Sequence, residues 1–312
     1  MKVLITGGFG YVGGRLGQHL VWHGHEVILG SRIRHPSPQW LPQAATVEVP
    51  WGSPAALDDI CTGVDAIIHA AGLNAQDCFA DPVAALNFNG VATGHLLQAA
   101  VRQGVKRFIH ISTAHVYASP LGGRISEETP LTSLHPYATS HRAGEDLVRH
   151  AHQRSQIEGV VVRLSNAFGA PAHQDANCWM LLVNDLCRQA VQSQKLVLRT
   201  SGLQQRDFVP LEDVAQALRH LLELQREACG DGLFNIGGCS LSVWEMTQRI
   251  AERCQAVLGL KPEILRPEPA PGEQLATIQY ECRKLQSTGV QLSGDAEREI
   301  DATLRMCAQV WG

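Results

Sequence analysis

One glycine-rich segment near the start of the chain constrains the fold more than any other feature. Residues 6–13 read Thr-Gly-Gly-Phe-Gly-Tyr-Val-Gly, and they join an apolar run at residues 3–5 to a helix pattern. A strand that passes through a glycine turn into a helix is typical of dinucleotide-binding βαβ units. Gly7 permits the tight turn, Gly10 lets the backbone approach a pyrophosphate, and Gly13 allows close helix packing. The residues predicted to hold a dinucleotide in this segment are Gly7, Gly10, Tyr11, Val12 and Gly13.

Short apolar runs alternate with helical stretches through the first half of the chain, which predicts a parallel sheet with crossover helices. The runs at residues 66–69 and 108–112 are apolar almost throughout, as in strands buried on both faces. After a further strand at residues 160–164, amphipathic helices replace the alternation. The predicted helices cover residues 178–191, 214–224, 243–257 and 297–309. We therefore predict an α/β fold, with a Rossmann-type doubly wound parallel sheet in residues 1–165 and a smaller, mainly helical substrate-binding lobe in residues 166–312.

The composition argues against several classes of ligand and location. The 312 residues carry a net charge of −4 with no block of like charges, so the sequence indicates no nucleic-acid or anionic-membrane surface. The longest apolar runs are far shorter than the ~20 residues of a membrane span, and the first residues lack the pattern of a signal peptide. We therefore expect no membrane partner and a cytoplasmic location.

Neither the cysteines nor the histidines are spaced like metal ligands. The nine cysteines include no Cys-x-x-Cys pair and are odd in number, which favours reduced residues in a protein core. Cys178 falls near the predicted substrate region, but packing is favoured over a nucleophilic role. No metal site is predicted, because four of the histidines lack carboxylate or thiol neighbours at metal-ligand spacing. These are His23, His35, His150 and His152.

The end of the second predicted strand bears on the choice of cofactor. NAD sites usually place a carboxylate there for the ribose 2′-hydroxyl, whereas residues 29–34 read Leu-Gly-Ser-Arg-Ile-Arg and contain no acid. Ser31 can donate to a 2′-phosphate, and Arg32 can hold it with charge-assisted hydrogen bonds. The sequence therefore favours NADP over NAD. The alternative is a pair of solvated arginines on a loop.

Several separated blocks of the sequence follow one pattern. They are the segment at residues 6–13, His-Ala-Ala-Gly at 69–72, Asn-Gly-Val-Ala-Thr at 89–93, Thr-Ala-His-Val-Tyr at 113–117, and the blocks at 163–169, 206–209 and 235–238. On these blocks the chain resembles the extended short-chain dehydrogenases over nearly its whole length, and in particular their sugar-nucleotide epimerases, dehydratases and reductases. The resemblance implies that a sugar nucleotide is the second ligand.

The resemblance also implies roles for residues outside the glycine segment. Further cofactor contacts are expected at Ala70, Ala71, Gly72 and Asn89. The hydroxyl of Thr113 is expected to orient the reacting sugar oxygen. Asn166, Asn177 and Arg206 should face the substrate diphosphate, where a guanidinium fork suits phosphate oxygens. For Arg206, an ion pair with Asp207 that caps a strand is the structural alternative.

The family's catalytic Tyr-x-x-x-Lys block resembles residues 137–141, but the lysine is replaced. Spacing of four on a helix places Tyr137 and His141 on one face, so His141 can stand where the ammonium would be. A positive unit charge about 5 Å away, at an effective dielectric near 20, lowers the tyrosine pKa by roughly two units. A neutral histidine does not lower the tyrosine pKa in this way. The resemblance implies that Thr113, Tyr137 and His141 are the catalytic residues, and that Tyr137 and His141 also contact the cofactor.

Two further departures limit what the resemblance implies. The family's adenine-side aspartate would fall at Pro50, and the acidic pair of sugar 4,6-dehydratases is replaced by Ala114 and His115, which disfavours that reaction. The favoured function is an NAD(P)-dependent sugar-nucleotide epimerase or ketoreductase. The alternative is a dinucleotide-binding protein without turnover, in a regulatory or structural role. The family's usual pairing of helices makes a homodimer one expected form.

Overall fold

Strands and helices alternate along this computed structural model, which describes residues 1–273 and 277–312. The described strands are β1 (Lys2–Thr6), β2 (Glu26–Ser31), β3 (Ala45–Glu48), β4 (Ala66–His69), β5 (Arg107–Thr113), β6 (Gly123–Ile125), β7 (Glu158–Leu164), β8 (Asn166–Phe168), β9 (Lys195–Val197), β10 (Gln205–Pro210), β11 (Leu233–Ile236), β12 (Cys239–Ser242), β13 (Glu263–Leu265) and β14 (Ile278–Tyr280).

The helices of the described residues lie between these strands. They are α1 (Tyr11–Trp22), α2 (Pro54–Cys61), α3 (Ala75–Ala80), α4 (Pro82–Ala85), α5 (Thr93–Arg102), α6 (Pro136–Gln153), α7 (Leu182–Ser193), α8 (Leu211–Glu223), α9 (Val243–Leu258), α10 (Arg283–Ser287) and α11 (Ala296–Trp311). A π-helical turn, Leu86–Ala92, joins α4 to α5, and 3₁₀ turns occupy Ala114–Val116 and Arg226–Cys229.

The main sheet has seven parallel strands in the order β3-β2-β1-β4-β5-β7-β11. From β1 the chain first adds strands β2 and β3 on one side and then strands β4, β5 and β7 on the other. At this change of side, Thr6 of β1 lies between Gly30 of β2 and His69 of β4. In doubly wound sheets, ligands bind at the carboxyl ends of the strands beside such a change of side. The predicted Rossmann-type sheet is confirmed, and its crevice lies at the end of β1.

Apolar side chains cover both faces of the sheet, as expected for a parallel sheet flanked by helices. Val3 and Ile5 point to one face and pack with Leu16 of α1, whereas Leu4 points to the other face and packs with Leu97 of α5. This alternation follows from the two-residue period of a strand. The sheet and its helices therefore form a rigid base for the loops at the strand ends.

A smaller body lies beyond β7. Strands β12, β10 and β8 form a three-stranded sheet, and helices α7, α9 and α11 pack together through a separate apolar cluster that includes Phe168 and Ile250. Strand β11, late in the chain, returns to the main sheet beside β7. The division of the chain near residue 165 stays a prediction.

Two predicted helix starts are wrong. The helix predicted from residue 178 begins at Leu182, because Leu181 has an extended backbone and its N–H closes a turn onto the carbonyl of Cys178. The helix predicted from residue 214 begins three residues earlier, at Leu211, directly after Pro210. In the first case the apolar pattern continues across a backbone turn, and in the second the polar pair Glu212 and Asp213 hides the first helical turn.

The cysteines and the helices bear on two further expectations. All nine cysteines lie within the described residues and are free; Cys239 is exposed and the other eight are buried. Burial raises the pKa of Cys178 to about 11, so this thiol is a poor nucleophile at neutral pH. Among the described residues, no helix is both long enough and apolar enough to cross a bilayer.

Candidate active site

The glycine segment forms a tight cradle between β1 and α1. Gly7 adopts a φ of +71°, and a Cβ there would lie 2.8 Å from the carbonyl oxygen of Ala70. The N–H of Gly10 donates to the carbonyl of Gly7 at 2.8 Å, and a Cβ on Gly13 would overlap that same carbonyl. Within the described residues no side chain caps α1, so its N-terminal N–H groups and helix dipole are free to meet an anion.

A cavity of about 470 Å³ opens above this cradle. We call it the dinucleotide pocket. The sequence-predicted residues that line it are Gly7, Gly10, Tyr11, Val12, Gly13, Ser31, Arg32, Ala70, Ala71, Gly72 and Asn177. Asn177 is thus placed here and not beside Asn166 and Arg206, with which the sequence grouped it.

Asn89 is buried behind the wall of the dinucleotide pocket. Its side-chain oxygen accepts from the N–H of Leu73 at 2.9 Å, and its amide nitrogen donates to the hydroxyl of Ser140 at 3.0 Å. Leu73 lines the pocket, whereas Ser140 belongs to α6. Asn89 therefore fastens the loop after β4 to the helix that carries Tyr137.

Ser31 and Arg32 lie at the end of the dinucleotide pocket beside β2. The side chain of Arg32 is exposed and forms no ion pair within residues 1–273 and 277–312. The hydroxyl oxygen of Ser31 accepts a long hydrogen bond, 3.3 Å, from the N–H of Ile33. Both side chains are therefore available to an anionic group.

A second cavity, also of about 470 Å³, adjoins the first. We call it the substrate pocket. The two cavities share Tyr11, Val12, Ala70, Gly72, Leu73 and Asn74. The substrate pocket alone contains the sequence-predicted residues Thr113, Tyr137, His141, Asn166 and Arg206. The predicted catalytic side chains thus lie together, next to the shared wall.

Tyr137 and Thr113 come from the start of α6 and the end of β5. The ring of His135, which precedes α6, accepts from the N–H of Tyr137 at 3.2 Å and so fixes the first turn. Burial raises the pKa of the Tyr137 phenol, and the hydroxyl of Thr113 opposes that rise. The phenol therefore stays protonated at neutral pH and stands close to the hydroxyl of Thr113.

His141 is buried one helical turn after Tyr137. The two rings meet edge to face, with centroids 4.6 Å apart, and Cε1 of His141 lies 3.3 Å from the position that a Cβ of Gly72 would take. Burial lowers the pKa of His141 to about 3, and the nearby His110 adds to the effect. His141 is therefore neutral at neutral pH and gives Tyr137 no fixed positive charge.

Three histidine rings form a buried column behind Tyr137. The centroid of His110 lies 6.0 Å from that of His141 and 5.4 Å from that of His69. Burial lowers the pKa of His110 to about 4 and lowers that of His69 far below its usual value. The sequence alone does not indicate a role for His69 or His110, because their contact depends on the register of β4 and β5, which pairs the two residues directly.

A buried ion pair joins helix α6, which carries Tyr137 and His141, to strand β7 of the main sheet. Arg163 of β7 meets Glu145 of α6 at 2.7 Å, and the hydroxyl of Ser112 donates to the same carboxylate at 2.5 Å. The guanidinium also lies 4.8 Å from the ring centroid of Tyr117. Glu145 follows Tyr137 by eight residues, a spacing that keeps both on the same side of a helix. This spacing is the sequence signal that could have indicated Glu145.

Arg206 projects into the substrate pocket and not toward its neighbour. Asp207 is buried on the other side of β10, where it accepts from the hydroxyl of Ser165 and from the N–H of Gly238. Arg206 forms no ion pair in the part of the chain that the structure describes, and desolvation lowers its pKa. The amide of Asn166 donates to the carbonyl of Asp207 at 2.9 Å, so its side-chain oxygen is left to face the pocket. The alternative of an Arg206–Asp207 pair is not observed.

Several pocket residues were not predicted from the sequence. His115 lines the substrate pocket, and burial together with the charge of Arg206 lowers its pKa. Trp51 lines the dinucleotide pocket, directly after Pro50, and its ring meets Phe88 edge to face at 5.2 Å. The position of Trp51 just beyond β3, at the carboxyl edge of a parallel sheet, is a signal that could have indicated it.

The sheet order, the glycine cradle and the adjoining pocket with its Thr113 and Tyr137 define a Rossmann-type dinucleotide-binding protein. The chain belongs to the NAD dependent epimerase/dehydratase family, whose model matches residues 3–237. This membership agrees with the resemblance seen in the sequence blocks.

Individual relatives cover most of the chain. The low-salt glycan biosynthesis protein Agl12 of Haloferax volcanii is 28% identical over 270 residues, which are 81% of this chain and 82% of that protein. The UDP-glucose 4-epimerase of Bacillus subtilis is 26% identical over 336 aligned positions, covering 100% of this chain and 96% of that enzyme. Among solved structures, the NAD-dependent NDP-hexosamine 5,6-dehydratase TunA superimposes with a TM-score of 0.76 at 29% identity, covering 97% of this chain and 96% of TunA.

Proposed function

We propose that this chain is an NAD(P)-dependent sugar-nucleotide epimerase or ketoreductase. The observation that carries the proposal is the position of Tyr137 and Thr113 in the substrate pocket, beside the wall shared with the glycine cradle. The relatives named for UDP-glucose and for an NDP-hexosamine support a sugar nucleotide as the substrate class. A role without turnover is not favoured, because a phenol and a hydroxyl are both retained where proton transfer would need them.

The residues suit an oxidation and reduction at a sugar carbinol. A bound nicotinamide dinucleotide would take up and return the hydride. The phenolate form of Tyr137 would accept the proton of the sugar hydroxyl as the carbon is oxidised, and the phenol so formed would return it on reduction. Thr113 would donate a hydrogen bond to the same sugar oxygen. His141, being neutral, would offer a ring nitrogen to the nicotinamide ribose but little electrostatic help to the phenolate.

The remaining pocket residues are proposed to hold the two ligands. The cradle of Gly7, Gly10 and Gly13 would seat the pyrophosphate, with Tyr11 and Val12 beside it. Arg32 and Arg206 have no ion-pair partner among the residues that the structure describes. Their free guanidinium groups support NADP over NAD at Arg32 and binding of the substrate diphosphate at Arg206. Asn177 is proposed to contact the dinucleotide as well as, or in place of, the sugar nucleotide, because it lines the dinucleotide pocket. A homodimer and a cytoplasmic location stay predictions.

The direct test compares the wild-type protein with Tyr137→Phe on a panel of UDP- and dTDP-sugars, each with NAD and with NADP. Product sugars are followed by NMR, and binding of dinucleotide and of UDP by calorimetry. We expect turnover of at least one sugar nucleotide by the wild type, its loss in Tyr137→Phe, and unchanged binding of both ligands. Turnover that survives in Tyr137→Phe would remove this residue from the mechanism, and a wild type that binds no dinucleotide would overturn the proposal.

A further inference from the structure

Residues 169–177 run from the end of β8 along the outer side of α1, and we call them the strap. At its start, the hydroxyl of Tyr11 donates to the carbonyl of Gly169 at 2.9 Å. One turn later, the guanidinium of Arg15 donates to the carbonyl of Ala170 at 2.8 Å. Two side chains of one helix thus hold two successive carbonyls of the strap.

The middle of the strap packs directly on α1. A Cβ on Gly14 would lie 3.1 Å from the Cβ of Ala172, so a larger residue at position 14 would push the strap outward. Arg15 is itself held by the carboxylate of Glu299 at 2.8 Å. The strap is therefore bound to the helix whose N-terminus forms the phosphate cradle.

The far part of the strap is fixed by His173. Its Nε2 lies 2.9 Å from the carbonyl oxygen of Phe9, so this nitrogen carries the proton and donates. The ring of His173 stacks on that of Trp40, with centroids 5.0 Å apart and planes at 12°. Trp40 in turn meets the ring of Phe9 edge to face at 5.8 Å, and Phe9 stacks on His35 at 4.1 Å. Four rings thus join the strap to the glycine loop and to the loop after β2.

The last residues of the strap form one wall of the dinucleotide pocket. Asp175 and Asn177 line that pocket together with Phe9 and Gly10 of the glycine loop. His173 lies two residues before Asp175 and does not itself line the pocket. The bond from His173 to Phe9 therefore sets how far this wall stands from the cradle.

We propose that the strap retains the dinucleotide in its pocket, and that His173 is the positioning residue that holds the strap closed. This inference rests on the proposed function, since it requires a dinucleotide in the cradle. Loss of the bond to Phe9 and of the stack on Trp40 frees the wall that carries Asp175 and Asn177. Release of the dinucleotide then becomes faster, while the substrate pocket is unaffected.

The experiment measures dinucleotide release directly. Full-length protein loaded with NADPH, or with NADH if that binds more tightly, is mixed with an excess of the oxidised form, and the decay of bound-nucleotide fluorescence is recorded by stopped flow. We expect release about fivefold faster in His173→Ala and in Trp40→Ala, which corresponds to the loss of one hydrogen bond or packed ring. Affinity for UDP, the probe of the substrate pocket, is expected to stay within about twofold of the wild type.

Two further variants separate positioning from general damage. His173→Gln can still donate to the carbonyl of Phe9 and is expected to restore part of the slow release, whereas His173→Phe keeps a ring on Trp40 without the donor and is expected to release faster than the wild type. The matched control is His150→Ala, which removes an exposed histidine at the far end of α6.

An unchanged release rate in both His173→Phe and Trp40→Ala would overturn the strap proposal, as would an equal weakening of UDP binding in these variants. Failure of the proposed function looks different, because the wild-type protein would then bind neither NADH nor NADPH.

Discussion

The exchange of lysine for His141 is the residue-scale feature that most affects the chemistry. A lysine ammonium would be a fixed cation beside Tyr137, but the buried imidazole of His141, with its pKa near 3, is uncharged at neutral pH. Because desolvation also raises the pKa of Tyr137, the phenolate has little support from its surroundings. We therefore expect proton removal by Tyr137 to require a higher pH than in relatives that keep the lysine.

The variant His141→Lys tests this expectation. A cation about 5 Å from the phenol should lower its pKa by roughly two units, so the rise of kcat/KM with pH should move to lower pH by a similar amount. The measurement is a pH profile of kcat/KM, with dinucleotide affinity as the control for an intact pocket. A profile that stays in place while the variant binds dinucleotide normally would show that the charge at position 141 does not act on Tyr137.

Arg32 is expected to determine cofactor choice. Arg32→Ala should weaken NADPH binding by about tenfold and leave NADH binding nearly unchanged, because only NADPH carries the 2′-phosphate that the guanidinium would hold. Calorimetric titration of both cofactors into the wild type and the variant measures this. Tighter binding of NADH by the wild type would contradict the prediction.

Arg206 is expected to serve the other ligand. In Arg206→Ala, UDP should bind about tenfold more weakly because the diphosphate loses a charge-assisted hydrogen bond, while dinucleotide affinity should stay the same. The matched control is Arg199→Ala, since Arg199 is also exposed and forms no ion pair in the described part of the chain. Equal UDP affinity in the wild type and in Arg206→Ala would leave Arg206 without a substrate role.

Helix α6 is the element that brings the site to the sheet. One face of it presents Tyr137 and His141 toward the pocket and Glu145 toward β7, where Arg163 completes a fully buried pair. A buried pair adds little net stability over apolar residues, but removal of one partner leaves an uncompensated charge. The pair therefore fixes the position of α6 on the sheet more than it strengthens the fold.

Glu145→Gln should consequently lower the free energy of unfolding by about 3–5 kcal/mol, because Arg163 would remain charged and buried. Urea unfolding measures the change. The neighbouring exposed residue provides the control, and Asp146→Asn should change stability by less than about 0.5 kcal/mol since its pair with Arg142 is long and solvated. Equal stabilities of Glu145→Gln and Asp146→Asn would contradict a structural role for the buried pair.

The elements that the sequence predicted best are those whose pattern is local. The predicted strands at residues 66–69 and 160–164 are mostly apolar and lie within β4 and β7, and each contains one buried polar residue, His69 and Arg163. The start of α7 was missed, because the apolar residues Met180 and Leu181 line the substrate pocket instead of continuing the helix stripe. Pocket walls and helix faces are both apolar, and periodicity does not distinguish them.

At the scale of the whole molecule, the parts of the site that lie close together in the sequence could be predicted, and the parts that come from distant segments could not. The cradle of Gly7, Gly10 and Gly13 lies within one turn, so a local sequence pattern is enough to place its residues in one pocket. The column of His69, His110 and His141 joins two strands and a helix, so it depends on a sheet register that no local pattern specifies. The same holds for the strap, whose partners lie more than a hundred residues away on α1.

The histidine column makes the stability of the whole molecule depend on pH. An unfolded histidine titrates near pH 6.5, whereas the folded pKa values of His110 and His141 are about 4 and 3, and that of His69 is far lower than usual. Below pH 6.5 the unfolded chain therefore binds protons that the folded chain excludes. Each ring then lowers the free energy of unfolding by about 1.4 kcal/mol per pH unit, until the pH reaches its folded pKa.

With three such rings, the loss is about 4 kcal/mol per pH unit, which is large against the roughly 5–15 kcal/mol that stabilises a typical domain. Acid unfolding is thus expected between about pH 6.5 and 4. His110→Leu tests whether the histidine column causes the acid unfolding. Neither ring nitrogen of His110 has a hydrogen-bond partner among the described residues, so the apolar replacement loses no hydrogen bond.

Relative to the wild type, His110→Leu should gain about 2 kcal/mol at pH 5 and change by less than about 1 kcal/mol at pH 8, in urea unfolding at both values. His150→Leu, which removes an exposed histidine outside the buried column, should show no such gain at pH 5. If His110→Leu lost stability between pH 8 and pH 5 as steeply as the wild type, protonation of the column would not be what limits the folded state in acid.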